Sequence, residues 1–103
     1  MSDYNECFLF FNGKKHIDET KGWLEKQHSV IDVRIHSCNA GEFLTFTSIN
    51  THCPVGFEEF TKQFNDCSFE LMSFNHLIGS QSFSVYMGNI HMTELNYSPP
   101  IGG

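Results

Sequence analysis

The chain has 103 residues, which is enough for one domain that buries its own apolar core. Apolar residues make up 40% of the chain and charged residues 17%, a composition typical of folded rather than disordered proteins. Twelve acidic against six basic residues give a net charge of −6, which disfavours binding to nucleic-acid phosphates, and no apolar run is long enough to cross a membrane.

The first segments of the chain carry the pattern of a strand followed by a helix. Residues 7–11 are apolar and aromatic on both faces, which predicts a central β-strand. Asp18 can cap a helix that runs from Glu19 to about Gln27, with Leu24 on its apolar side. We therefore expect a strand and a helix before residue 30.

A hairpin is predicted next. Residues 30–38 alternate between apolar and polar side chains, which indicates a half-buried strand. The side chains expected to point into the core are Ile31, Val33 and Ile35. Residues 39–42 have the composition of a turn, and residues 43–49 form the returning strand.

The second half begins with a predicted helix from residue 54 to about residue 64. Pro54 suits a first helical position, and phenylalanines at spacings of three and four draw one apolar stripe. These stripe residues are Phe57, Phe60 and Phe64. Strands are expected at 68–77 and 82–87, joined by a turn at 78–81, and residues 90–97 form a sixth strand or extend the fifth.

This order of elements predicts an α+β fold. It is the order of a ferredoxin-like βαββαβ sandwich with one or two extra C-terminal antiparallel strands. We expect a single domain over residues 1–97 and a flexible C-terminal tail over residues 98–103. In such a sandwich both helices cover one face of the sheet.

The other face of the predicted sheet is unusually aromatic, because phenylalanine occurs 11 times in the chain. A large apolar patch on a solvated sheet is typical of an interaction site or of a homodimer interface. The partner-binding residues predicted on this face are Phe8, Phe10, Arg34, His36, Phe43, Phe74 and Tyr86. Acidic groups that could speed association with a basic partner surface are Glu19, Glu25, Glu58, Glu59 and Asp66.

The sequence supports a catalytic site or a metal site less well than it supports a partner-binding surface. Cys38 and His36 alternate along one strand and could act as a nucleophile and a base, but no orienting acid can be identified. The pairs His36 with Cys38 and His52 with Cys53 lie too far apart along the predicted hairpin to close one zinc site. We therefore predict no catalytic residues, no metal and no cofactor, and four reduced cysteines in a cytoplasmic protein.

Two partial resemblances define alternative functions. Phe8, Phe10 and Phe43 occupy about the strands on which the RNA-recognition module carries its stacking aromatics, which would imply a single-stranded RNA-binding module. The ending from Tyr97 to Gly103, with Pro99-Pro100 before Gly102-Gly103, resembles that of the molybdopterin-synthase small subunit and related sulfur carriers. That resemblance would imply a modified C-terminal Gly-Gly.

A broader resemblance covers residues 43–85, which look like small ferredoxin-like proteins encoded on plasmids and prophages. The residues that carry it are Phe46, Thr47 and Ser48, Cys53 and Pro54 before a Phe-rich helix, and Phe83, Ser84 and Val85. The resemblance implies a mobile-element context, in which small acidic proteins antagonise CRISPR surveillance complexes or act as toxin immunity proteins. We thus expect a non-catalytic protein that binds and inhibits a protein partner.

Overall fold

The computed structural model describes residues 3–87 and 90–97. The predicted tail at 98–103 lies outside the described residues. The strands and helices are β1 (Tyr4–Gly13), α1 (Ile17–Glu25), β2 (Val30–Cys38), β3 (Gly41–Ile49), α2 (Phe57–Thr61), β4 (Cys67–Asn75), β5 (Ser80–Met87) and β6 (Ile90–Tyr97). In the part of the chain that the structure describes, neither helix is long and apolar enough to span a bilayer.

The strands form one six-stranded sheet in the order β2-β3-β1-β4-β5-β6. All neighbouring strands pair antiparallel. The predicted α+β class is therefore confirmed, and the arrangement is compatible with a ferredoxin-like sandwich. β1 and β4 lie inside the sheet, in agreement with the apolar residues on both faces of β1.

One side of the sheet packs against both helices and holds the core. Period-two alternation sends Leu9 of β1, Leu44 of β3 and Leu71 of β4 to this side, where all three are fully or almost fully buried. Leu24 of α1 and Phe57 of α2 belong to the same buried cluster and contribute to it from the helix layer. Because alternate residues point the opposite way, Phe8 and Phe10 lie on the side away from the helices.

Strand β2 contradicts the predicted alternation. A β-bulge lies between Ile31 and Arg34, where the pairing with β3 shifts by one residue. Asp32 adopts a φ of 57° there, in the left-handed region. Because of the bulge, Ile31 and Ile35 point to opposite sides of the sheet. Ile31 pairs with Thr47 on the side away from the helices, and Ile35 pairs with Leu44 on the helix side. Ile31 is 42% exposed and Ile35 38%, so neither is the core residue that the sequence predicts.

Both helices differ from their predicted bounds. α1 begins at Ile17, so Asp18 lies inside the first turn, and the residue before the helix is His16. α2 spans only Phe57–Thr61 and follows Gly56, whose φ of 88° sets the entry to the helix. Pro54 is therefore outside the helix. Phe64 lies beyond the end of α2, yet it still packs against the core.

The placement of Tyr86 on the aromatic face is wrong. Tyr86 pairs with the core residue Phe69 across β4 and β5, so the two side chains share the helix side of the sheet. Tyr86 is 4% exposed and meets the Phe57 ring edge to face at 5.4 Å. A buried core ring cannot contact a partner, and Tyr86 therefore belongs to the fold rather than to a binding surface.

Candidate functional site

The side of the sheet away from both helices is the candidate site, and we call it the open face. Cross-strand pairs bring its side chains together in rows, for example Arg34, Thr45 and Phe8 on successive strands. The residues that define the open face are Phe8, Phe10, Arg34, His36, Phe43, Thr45, Met72, Phe74 and Phe83. Their apolar members are half-buried by their neighbours on the sheet. Phe8, Phe10, Phe43 and Phe74 thus lie where the sequence predicts them.

Three rings of the open face form a continuous stack across three strands. His36 of β2 stacks on Phe43 of β3, with centroids 5.1 Å apart and planes 17° apart. Phe43 stacks in turn on Phe10 of β1 at 5.1 Å and 27°. The spacing is close to the separation of neighbouring strands, about 4.8 Å. The rings therefore cover one another's faces and direct their edges outward.

Polar contacts hold the border of this stack. His36 Nε2 lies 2.7 Å from Thr45 Oγ1, on the neighbouring strand. Cys38 Sγ donates instead to the carbonyl oxygen of Gly41, at 3.2 Å. The hydrogen bonds of His36 and Cys38 are thus made to other groups, an arrangement that differs from the nucleophile and base considered from the sequence.

A shallow depression of about 380 Å³ lies beside the rings. Arg34 and His36 line one side of it, and Glu6 and His76 line another. His76 Nε2 is 2.7 Å from Glu6 Oε2, so these two exposed side chains form a pair at the edge of the open face. The depression therefore offers charges of both signs next to an apolar centre.

The predicted acidic residues do not join the open face. Glu19 and Glu25 lie on α1, Glu58 and Glu59 lie on α2, and Asp66 follows α2, so these acids belong to the helix layer on the other side of the sheet. Glu25 pairs with Lys21 at 2.9 Å, and Glu59 pairs with Lys62 at 2.8 Å. The aromatic and acidic residues predicted to bind one partner thus form two separate surfaces.

The sequence did not predict a hydrogen-bond network on the helix side of the sheet, which joins Cys7, His52, Ser73 and Ser80. His52 contacts Ser73 Oγ at 2.8 Å through Nδ1 and Ser80 Oγ at 3.0 Å through Nε2. Cys7 Sγ donates to the same Ser73 hydroxyl at 3.4 Å. Burial lowers the pKa of His52 and raises the pKa of Cys7 to about 12, so the fold favours a neutral imidazole and a protonated thiol. Cys7 is fully buried and His52 half-buried, and both are held by hydrogen bonds to Ser73.

The four cysteines are thiols, and their burial predicts very different reactivity. In the native protein we expect iodoacetamide to alkylate the exposed Cys38 at least about 1,000-fold faster than Cys7, because Cys7 must wait for unfolding. Peptide mass spectrometry over time measures both rates, and labelling in urea, where the two rates should converge, is the control. Equal native rates would contradict the buried position of Cys7.

A second cluster missed by the sequence lies at the other end of β1. A ring nitrogen of His16, a carboxylate oxygen of Asp66 and the Sγ of Cys67 all lie within 4.8 Å of one another. His16 Nε2 is 2.7 Å from Asp66 Oδ1, and this hydrogen bond lowers the pKa of the carboxyl group. Burial raises the pKa of the Cys67 thiol. No spacing motif joins residues 50 positions apart, so only the pairing of β1 with β4 reveals this cluster.

Known proteins provide no guide to either site. No protein-family model matches the chain, and neither a search of curated proteins nor a search of solved structures finds a match.

Proposed function

We propose that this chain is a non-catalytic binding protein that docks the open face onto a protein partner and inhibits it by covering the partner's surface. The observation that carries the proposal is the concentration of aromatic side chains on the side of the sheet opposite both helices. Apolar patches of this kind are typical of interaction sites, and aromatic residues supply much of the energy of protein interfaces.

The scaffold that we propose is a ferredoxin-like sandwich extended by β5 and β6. Support comes from the order of elements up to β4 and from the strand order β2-β3-β1-β4 within the sheet. In this scaffold the central strands β1 and β3 carry Phe8, Phe10 and Phe43. A docking surface built on central strands is rigid, which lowers the entropic cost of binding.

The partner that we propose presents an apolar patch with a basic border. The apolar patch would meet the Phe10 and Phe43 edges, and basic groups would meet Glu6 beside the depression. The net charge of −6 creates a field that speeds association with a basic protein. The acids of the helix layer would contribute to this field without touching the partner.

We propose that binding inhibits the partner, because the small plasmid and prophage proteins that residues 43–85 resemble imply a role as an antagonist of another protein. A host defence complex that binds nucleic acid, or a toxin neutralised by its immunity protein, would present the basic surface that the charge of this chain favours. A homodimer formed through the open face is the competing use of the same surface.

Single-stranded RNA binding is the second candidate function, and the ring geometry disfavours it. Base stacking requires exposed ring faces. Phe43 lies between His36 and Phe10, so its two faces are occupied by these neighbours. For the sulfur-carrier alternative, Gly102 and Gly103 lie outside the described residues, and within residues 3–16 a single strand precedes α1 where those carriers have a hairpin.

Matched variants test the proposal. Phe10→Ser and Phe43→Ser change the open face, whereas Glu25→Gln changes the helix layer. Each tagged protein is expressed in the source cell, and proteins that co-purify are quantified by mass spectrometry. We expect a partner whose recovery falls at least about tenfold with either open-face variant and stays unchanged with Glu25→Gln.

Three further outcomes would contradict the proposal. The first is equal recovery of every protein with wild type and with both open-face variants, measured on variants that circular dichroism shows to be folded. A stable dimer that the same variants dissociate, measured by analytical ultracentrifugation, would assign the open face to self-association. A shift of single-stranded RNA in low-salt gels that the variants abolish would assign it to RNA.

A further inference from the structure

The end of the sheet where β1 leads into α1 brings three metal-ligating side chains together. His16 is the residue before α1, and Asp66 and Cys67 stand at the start of β4. Gly13 pairs with Cys67 in the β1–β4 register, and Lys14 N donates to the carbonyl oxygen of Asp66 at 3.2 Å. These backbone contacts anchor the two loops against each other. The side chains therefore converge because the sheet holds their backbones in place.

We propose that His16, Asp66 and Cys67 form a binding site for a divalent transition-metal ion of the zinc class. Imidazole, carboxylate and thiolate are all zinc ligands, and the combination of nitrogen, oxygen and sulfur suits a borderline-soft ion better than Mg²⁺ or Ca²⁺. The three donor atoms lie within 4.8 Å of one another, which is close enough for one ion to contact all three after small side-chain movements. Water would complete a tetrahedral shell.

The surroundings of His16 match those of metal-binding histidines. Glu19 Oε2 lies 3.3 Å from His16 Nδ1, on the opposite side of the ring from Asp66. A carboxylate at this position orients the ring and strengthens the other nitrogen as a ligand. Phe64 packs against the ring, with centroids 4.3 Å apart, and restricts its rotation. The imidazole is thus already positioned with Nε2 toward Asp66.

Exposure of the cluster suits entry of an ion from solvent. Cys67 is 3% exposed, whereas the Asp66 side chain is 47% exposed. The thiol would therefore form the floor of the site and the carboxylate its entrance. On binding, Cys67 releases its thiol proton to solvent, and His16 binds the ion through Nε2 as the neutral tautomer that carries its hydrogen on Nδ1, facing Glu19. A Zn²⁺ ion with one thiolate, one carboxylate and one neutral imidazole leaves no net charge.

Titration with Zn²⁺ and with Co²⁺ tests the site. Isothermal titration calorimetry on the reduced wild-type protein should give one site per chain, and Co²⁺ should produce a thiolate-to-metal charge-transfer band. Cys67→Ser should abolish that band, and Asp66→Asn should weaken Zn²⁺ binding by more than about 100-fold. Glu19→Gln, which removes only the orienting carboxylate, should weaken it by about 10- to 100-fold.

Cys38→Ser and His76→Gln are matched controls, because they remove an exposed thiol and an exposed imidazole outside the cluster. Both should leave the affinity and the band unchanged. Absence of the band in wild type would overturn the proposal, as would a band that persists in Cys67→Ser. Because Asp66 lies on the surface, Asp66→Asn remains a valid test if Cys67→Ser does not fold. Full Zn²⁺ affinity in Asp66→Asn would also overturn the proposal.

Discussion

Replacing Phe57 by alanine should lower the free energy of unfolding by about 3–5 kcal/mol, the usual cost of truncating a buried phenylalanine. Phe57 has no exposed surface and contacts the rings of Trp23, Phe60, Phe69 and Tyr86. It therefore joins both helices to the sheet. Since a domain of this size has a total stability of about 5–15 kcal/mol, this loss is a large fraction of the total, and the urea midpoint of unfolding should fall markedly.

Urea denaturation followed by tryptophan fluorescence measures this loss, because Trp23 is the only tryptophan and lies 5.9 Å from the Phe57 ring. Val55→Ala is the matched control: Val55 is two residues away but 81% exposed, so its truncation should change stability by less than about 0.5 kcal/mol. A Phe57→Ala variant as stable as wild type would show that α2 does not close the core as described.

Replacing Gly13 by alanine should destabilise the protein by about 2–4 kcal/mol through backbone strain and a steric clash. Gly13 has a φ of 104°, which an L side chain rarely adopts. An added Cβ would also lie 2.7 Å from the carbonyl oxygen of Asp66. That oxygen belongs to the backbone, so relief of the clash requires β1 and the start of β4 to separate.

Gly22 provides the matched control with the opposite sign. Gly22 lies within α1, and a Cβ built on it meets nothing within 4 Å. Gly22→Ala should therefore stabilise the helix by about 0.5–1 kcal/mol. Thermal or urea unfolding of both variants measures the difference. Equal effects of the two substitutions would contradict the close approach of Gly13 to Asp66.

The candidate sites differ in how far the sequence could predict them. Phe8, Phe10, Phe43 and Phe74 were predictable because successive strand residues point to opposite faces of the sheet. A strand that is apolar at both odd and even positions must therefore place some apolar side chains on the open face. The same rule failed at Tyr86. Which residues of β5 face the helices is decided by the register of β5 with β4, not by the sequence pattern of β5 alone. The stacking of His36 on Phe43 likewise depends on register.

By itself, the sequence determined the order of strands and helices, the α+β class and the aromatic content of the sheet. These properties follow from local patterns of apolar and polar residues, which any short segment carries within itself. Only the tertiary structure decided the bulge that turns Ile31 outward, the short span of α2 and the meeting of His16 with Asp66 and Cys67. Each of these depends on how backbones distant in the chain pair and pack, and no local pattern encodes that pairing.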